Sequence, residues 1–65
     1  MALSERELEV LRKVAAGNSN KQVAAQLRIS EDTAKAHMKN ILSKLNANDR
    51  THAVTIAVKR GIIDI

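Results

Sequence analysis

The sequence predicts an all-α domain of four short helices, and three observations carry that expectation. Polar N-cap residues precede apolar runs at Ser4, Ser19, Ser30 and Asp49. Inside those runs apolar residues return every three or four positions, the period of a helix with one buried face. No segment alternates apolar and polar residues in the manner of a half-buried strand. The helices are placed at about residues 5–16, 20–27, 31–45 and 50–60, and the bundle resembles a helix-turn-helix arrangement in its middle pair.

Ser4-Glu5-Arg6-Glu7 opens the first helix with a capping box, in which the hydroxyl accepts from the third amide and Glu7 reaches back. Gly17 suits the left-handed residue after its end. Leu8, Leu11, Val14 and Ala15 share a face on the helical wheel, and Glu7 falls within it. Glu7 is assigned either to the cap or to a partly buried ion pair with a distant Arg. Ser19-Asn20-Lys21-Gln22 repeats the box, followed by the apolar Val23, Ala24 and Leu27. The small Ala24 and Ala25 would admit a neighbouring helix at close range. Arg28-Ile29-Ser30 is the turn, with Ile29 as a plug between helices and Ser30 as the next cap. Glu31 and Asp32 then oppose the helix dipole. The third helix spans roughly 22 Å at 1.5 Å per residue. Asn46–Asn48 supply a turn, Asp49 caps the fourth helix, and Gly61 ends it.

Sixty-five residues make one domain, treated as spanning 1–65, and a chain of that size buries only about 60% of its unfolded surface. It has no cysteine, and His37 and His52 are too few for a usual zinc set, so no metal or cofactor is expected. With no aromatic residue, the core must be aliphatic, and the stacking platform used on single-stranded nucleic acid is missing. Absence of a long apolar run or signal-peptide pattern makes the expected location cytoplasmic. Neither paired carboxylates nor a nucleophile–base set nor a glycine-rich phosphate loop is present, so no enzyme is expected. The net charge of +4 is unevenly spread. Residues 1–19 balance to zero, whereas residues 20–60 carry +5, which suits a polyanionic partner.

The third helix divides into two faces. Ala34, Met38, Ile41 and Leu45 form the inner one, with Leu42 at its edge. Asp32, Ala36, Lys39 and Ser43 lie opposite, flanked by Lys35 and Asn40, while Thr33 and His37 occupy a border. A small, polar, basic face at the start of a second helix is the part of a helix-turn-helix that meets double-stranded DNA in the major groove. Lys35 and Lys39 can donate to guanine O6 and N7, and Ala36 can lie against a thymine methyl. Asn20 and Lys21, at the start of the second helix, suit phosphate oxygens, as do His37, Asn40, Lys44 and Arg50. Asp32 opposes this reading electrostatically; it fits dipole compensation or acceptance from cytosine N4. His52 has no evident partner and is read as surface.

These residues resemble the LuxR-type helix-turn-helix, the DNA-binding module of quorum-sensing activators and NarL-type response regulators. The resemblance rests on LSERELEVLRKVAAGNSNKQVAAQL, then IS-x-x-T-x-K-x-H, NILSKL, Arg50 and the closing GII, from Leu3 to Ile63. It implies a bacterial transcription-factor domain, nucleoid-associated, forming the C-terminal part of a longer regulator that binds DNA as a dimer. It implies base contacts by Lys35, Ala36 and Lys39, and backbone contacts by Asn20, Lys21 and Thr33. It also implies a pairing of Glu7 with Arg50, which would remove Arg50 from the phosphate contacts. The chain departs from the family at Ala34, where Val or Ile is usual, and at the small residue 36.

On the fourth helix Ala53, Val54, Ala57 and Val58 form the expected inner stripe, leaving Ile56 exposed beside His52 and Lys59. Family dimerisation through the last helix makes His52, Ile56 and Lys59 the expected homodimer contact, with RNA polymerase a further partner. No membrane and no small-molecule ligand are expected. Two other readings remain open: a helix-turn-helix that docks a protein, and a sigma-factor-like region that reads promoter DNA while bound to RNA polymerase.

Overall fold

The computed structural model describes residues 2–64 and resolves four helices: α1 (Glu5–Ala15), α2 (Asn20–Leu27), α3 (Glu31–Leu45) and α4 (Arg50–Lys59). All four expected N-caps form. Ser4, Ser19 and Ser30 accept from the third helical amide, and Asp49 does the same for His52. The first two are complete capping boxes, with Glu7 Oε1 and Gln22 Oε1 accepting from the serine amides at 2.9 and 2.8 Å.

The helix ends share one device. Gly17, Arg28, Asn46 and Gly61 each take a positive φ. The next amide then donates five residues back: Asn18 to Lys13, Ile29 to Ala24, Ala47 to Leu42 and Ile62 to Ala57, at 2.8–3.1 Å. This closure satisfies carbonyls that the helix leaves free. It also turns Ile29, Ala47 and Ile62 onto the core, as the motif requires of its following residue. Glycine announces two of the four sites. Arg28 does not, and an L-residue with a side chain bears a cost of about 1 kcal/mol in that conformation.

α1 and α3 form the centre, with α2 and α4 each packed against both. Val10, Leu11, Val23, Ala34 and Ile41 are fully buried, together with Ala53 and Ala57. On two helices the buried set differs from the expected face. On α1 the buried set is Glu7, Val10, Leu11 and Val14, while Leu8 and Ala15 are half-buried. α1 meets three helices, so it buries a broad arc that extends past Leu11 to Val10. On α4 the two alanines, Ala53 and Ala57, face inward, and Val54, Ile56 and Val58 are all half-buried. Small side chains let the helix approach closely, which draws Ile56 toward the core and corrects the expectation that it is exposed. On α2, Ala24 is buried but Ala25 is exposed, so only one of the pair serves close packing.

Glu7 is the one buried charged residue among those described. Its Oε1 accepts from the Ser4 amide and, at 2.7 Å, from Lys44 Nζ on α3. The expected Glu7–Arg50 pairing does not form. Lys44 follows Ile41 by three residues and precedes Leu45, at the rim of the inner face of α3, where its stem can reach over apolar surface to the carboxylate. The Lys44 hydrogen bond, chiefly, and the Ser4 amide hold the Glu7 carboxyl below its ordinary 4.5, against the opposing effect of burial.

The two partners are unequal in exposure, 6% for the Glu7 side chain and 25% for Lys44. Lys44→Met leaves a buried carboxylate with only the Ser4 amide and should cost about 2–4 kcal/mol in urea unfolding at neutral pH. Glu7→Gln keeps one oxygen for both donors, as Gln22 does at Ser19, and should cost nearer to about 1 kcal/mol. A carboxyl with a depressed folded-state pKa adds stability above its unfolded value and loses it as pH falls through the folded one. The wild type should therefore weaken from about pH 5 downward more steeply than Glu7→Gln. Equal slopes would remove Glu7 as the acid-sensitive group.

Candidate nucleic-acid interface

α2 ends at Leu27 and α3 begins at Glu31, so three residues join them. Ser30 controls this junction: its Oγ accepts from the Thr33 amide at 3.0 Å and donates to Thr33 Oγ1 at 2.8 Å. Thr33 is exposed, and its hydroxyl proton stays available for an outside acceptor. Ala34, Met38, Ile41 and Leu45 anchor α3, as expected. Lys35, Ala36, Lys39, Asn40 and Ser43 are exposed, and His37 lies half-buried at the border. No ion pair or side-chain hydrogen bond occupies Lys35 or Lys39 among the described residues.

At the start of α2, Lys21 is exposed and Asn20 is half-buried. Asn20 Oδ1 faces Arg50 Nη1 at 3.4 Å, which leaves its NH2 group directed away from that contact. Arg50 Nη2 donates to the Asn18 carbonyl at 2.6 Å. Arg50 thus ties the first residue of α4 to the loop before α2 instead of facing solvent as a phosphate ligand. Lys44 is likewise engaged, by Glu7, so a phosphate contact by its ammonium would compete with that ion pair.

The sequence reading did not single out Asn18. Its backbone amide and its Nδ2 both donate to the Lys13 carbonyl, its Oδ1 accepts from Gln26, and its carbonyl accepts from Arg50. The Gly17-Asn18 pair was the available signal, since a turn there frees an Asn side chain to bond nearby backbone. His52 also has a partner that the sequence reading missed. Its Nδ1 accepts from the Asn48 amide at 3.0 Å, so the ring supports the start of α4. Within the stripe expected to meet a second copy, Lys59 is exposed while His52 and Ile56 are half-buried.

A short capped helix, a three-residue turn and a longer helix with a free basic face define a helix-turn-helix transcriptional-regulator domain. The profile of the family described as bacterial regulatory proteins, luxR family, matches residues 1–57. The chain belongs to that family. It is 53% identical over 55 residues to a nitrate/nitrite response regulator protein homolog of Haemophilus influenzae, covering 85% of this chain and 26% of the relative. To the nitrate/nitrite response regulator protein NarP of Escherichia coli it is 48% identical over 58 residues, covering 89% and 27% of the two chains. The structure of response regulator ChrA, from a heme-sensing two component system, superposes with a TM-score of 0.93 at 48% identity. That match covers 97% of this chain and 31% of the other. The chain therefore spans between about a quarter and a third of the length of these relatives, which are NarL/NarP-type response regulators.

Arg50→Met should remove both guanidinium contacts and lower stability by about 1–2 kcal/mol. Hydrogen exchange should quicken at residues 18–21 more than within α3, because the guanidinium pins that loop directly. Uniform quickening throughout the chain would mean that Arg50 acts only through global stability.

Proposed function

We propose that this domain binds double-stranded DNA in a sequence-specific manner, with α3 in the major groove. The observation that carries the reading is the exposed, unpaired face of Lys35, Ala36 and Lys39, presented by a helix whose opposite side is fully anchored. Lys35 and Lys39 donate to guanine edges, and Ala36 lets the helix sit deep against a thymine methyl. Thr33, His37 and Asn40 flank that face, while Asn20 and Lys21 approach the backbone from the start of α2. The remainder of a regulator of this family supplies the input, and the output is control of transcription in the bacterial cytoplasm. A second copy, aligned by DNA, meets the first through His52, Ile56 and Lys59 of α4. Ile56 contributes less apolar area to that contact than an exposed side chain would, so the isolated domain is monomeric without DNA.

Binding to random duplex DNA, followed by polarisation at several salt concentrations, tests this reading. A Kd of roughly 10⁻⁴–10⁻⁶ M at physiological salt is expected for non-specific association. With Lys44 and Arg50 occupied internally, about four phosphates are neutralised, giving a log–log salt slope of roughly −3 to −4. Lys35→Glu/Lys39→Glu should abolish the interaction without altering the helical spectrum. Salt-independent or absent wild-type binding would favour the protein-docking alternative.

A further inference from the structure

Asp32 occupies an unexplained place on this face. At 100° per residue it lies between Ala36 and Lys39, at the middle of the outward stripe and in the first turn of α3. It is exposed, and among the described residues its carboxylate has neither a hydrogen-bond partner nor an ion pair. The cap at this end does not depend on Asp32, and the dipole has a second carboxylate beside it. Ser30 is the N-cap, and Glu31, half-buried in the same turn, also opposes the dipole. A carboxylate at the centre of a basic face weakens attraction to phosphates, a cost that its modest contribution to the helix dipole does not require at this position.

Resting on the DNA-binding reading, we infer that Asp32 is a specificity-determining residue that selects cytosine at one position of the target. An ionised carboxylate only accepts hydrogen bonds. In the major groove, cytosine presents the N4 donor, whereas guanine and thymine present acceptors at that edge. Adenine presents its N6 donor beside the N7 acceptor, which repels a carboxylate. Lys35 and Lys39 require the opposite pattern, the O6 and N7 acceptors of guanine. The face therefore pairs one acceptor-only side chain with two donor-only side chains, and it demands cytosine beside guanine in the bound site. Asp32 also lowers affinity for every other sequence, since its charge remains near phosphate without a compensating donor.

Selection from a random duplex pool with the wild-type chain, Asp32→Ala and Asp32→Asn tests the inference. The wild type should enrich a motif with cytosine at one position, and replacement of that base should weaken binding by about 5- to 150-fold. Asp32→Ala should lose that single preference, keep the rest of the motif, and bind random duplex more tightly. Asp32→Asn should move the preference toward adenine, whose N6 and N7 an amide reads together. Substituting N4-methylcytosine at the selected position blocks the groove-facing donor; it should weaken the wild type and leave Asp32→Ala unaffected. An identical motif from wild type and Asp32→Ala would overturn the role of Asp32 while leaving DNA binding intact. Failure of the wild type to retain any duplex would overturn both.

Discussion

The Oε1 atom of Glu7 accepts from the Ser4 amide and from Lys44, so one carboxylate both starts α1 and joins it to α3. A charge this deeply buried requires nearly complete compensation, because the desolvation cost of an unpaired carboxylate amounts to several kcal/mol. Here the compensation is local on one side and distant on the other. The register between α1 and α3 is consequently held by directional bonds as well as by packing of Val10, Leu11 and Ile41. That matters in a 65-residue chain without an aromatic side chain, where each apolar residue covers little area.

From that register follows a division among the cations. Lys44 and Arg50 are held inside the architecture, one by a carboxylate and the other by a loop carbonyl. Lys21, Lys35 and Lys39 stand free in solvent. The presence of a partner, not distance from the inner face, decides the difference. Lys44 lies within reach of the buried Glu7 of α1, whereas Lys35, equally far from the inner face on its other border, and Lys39 meet no carboxylate among the described residues. Counting Lys and Arg over residues 20–60 therefore overstates the charge available to an outside partner.

Local signals were legible wherever a helix begins or ends on its own chemistry. The four N-caps, both capping boxes, Gly17, Gly61 and the inner face of α3 all followed from spacing. What failed depended on neighbours in space. The partner of Glu7 lies 37 residues away and is a lysine where an arginine was expected. On α4 the stripe Ala53, Val54, Ala57 and Val58 was legible, but apolar residues cover most of its circumference, so spacing did not tell that only the alanines would be buried and that Ile56 would be as half-buried as the valines. Arg28 gave no warning of its positive φ because its conformation is dictated by the closing bond from Ile29. On the candidate interface, the exposed positions of α3 were legible, but the internal commitment of Lys44 and Arg50 was not.

The two distant polar ties have a dynamic consequence. One joins residues 7 and 44 and the other residues 18 and 50, so the whole of α2 and the turn lie within both closed loops, and α3 lies within the second. Loop-closure entropy changes slowly with length, so ties over 30 or more residues are only modestly more costly than short ones. Yet each couples elements that would otherwise fray separately. The two ties should make α2 and α3 open together with α1 and α4 in preference to fraying alone. An exposed face on such a helix keeps its geometry without needing rigidity of its own.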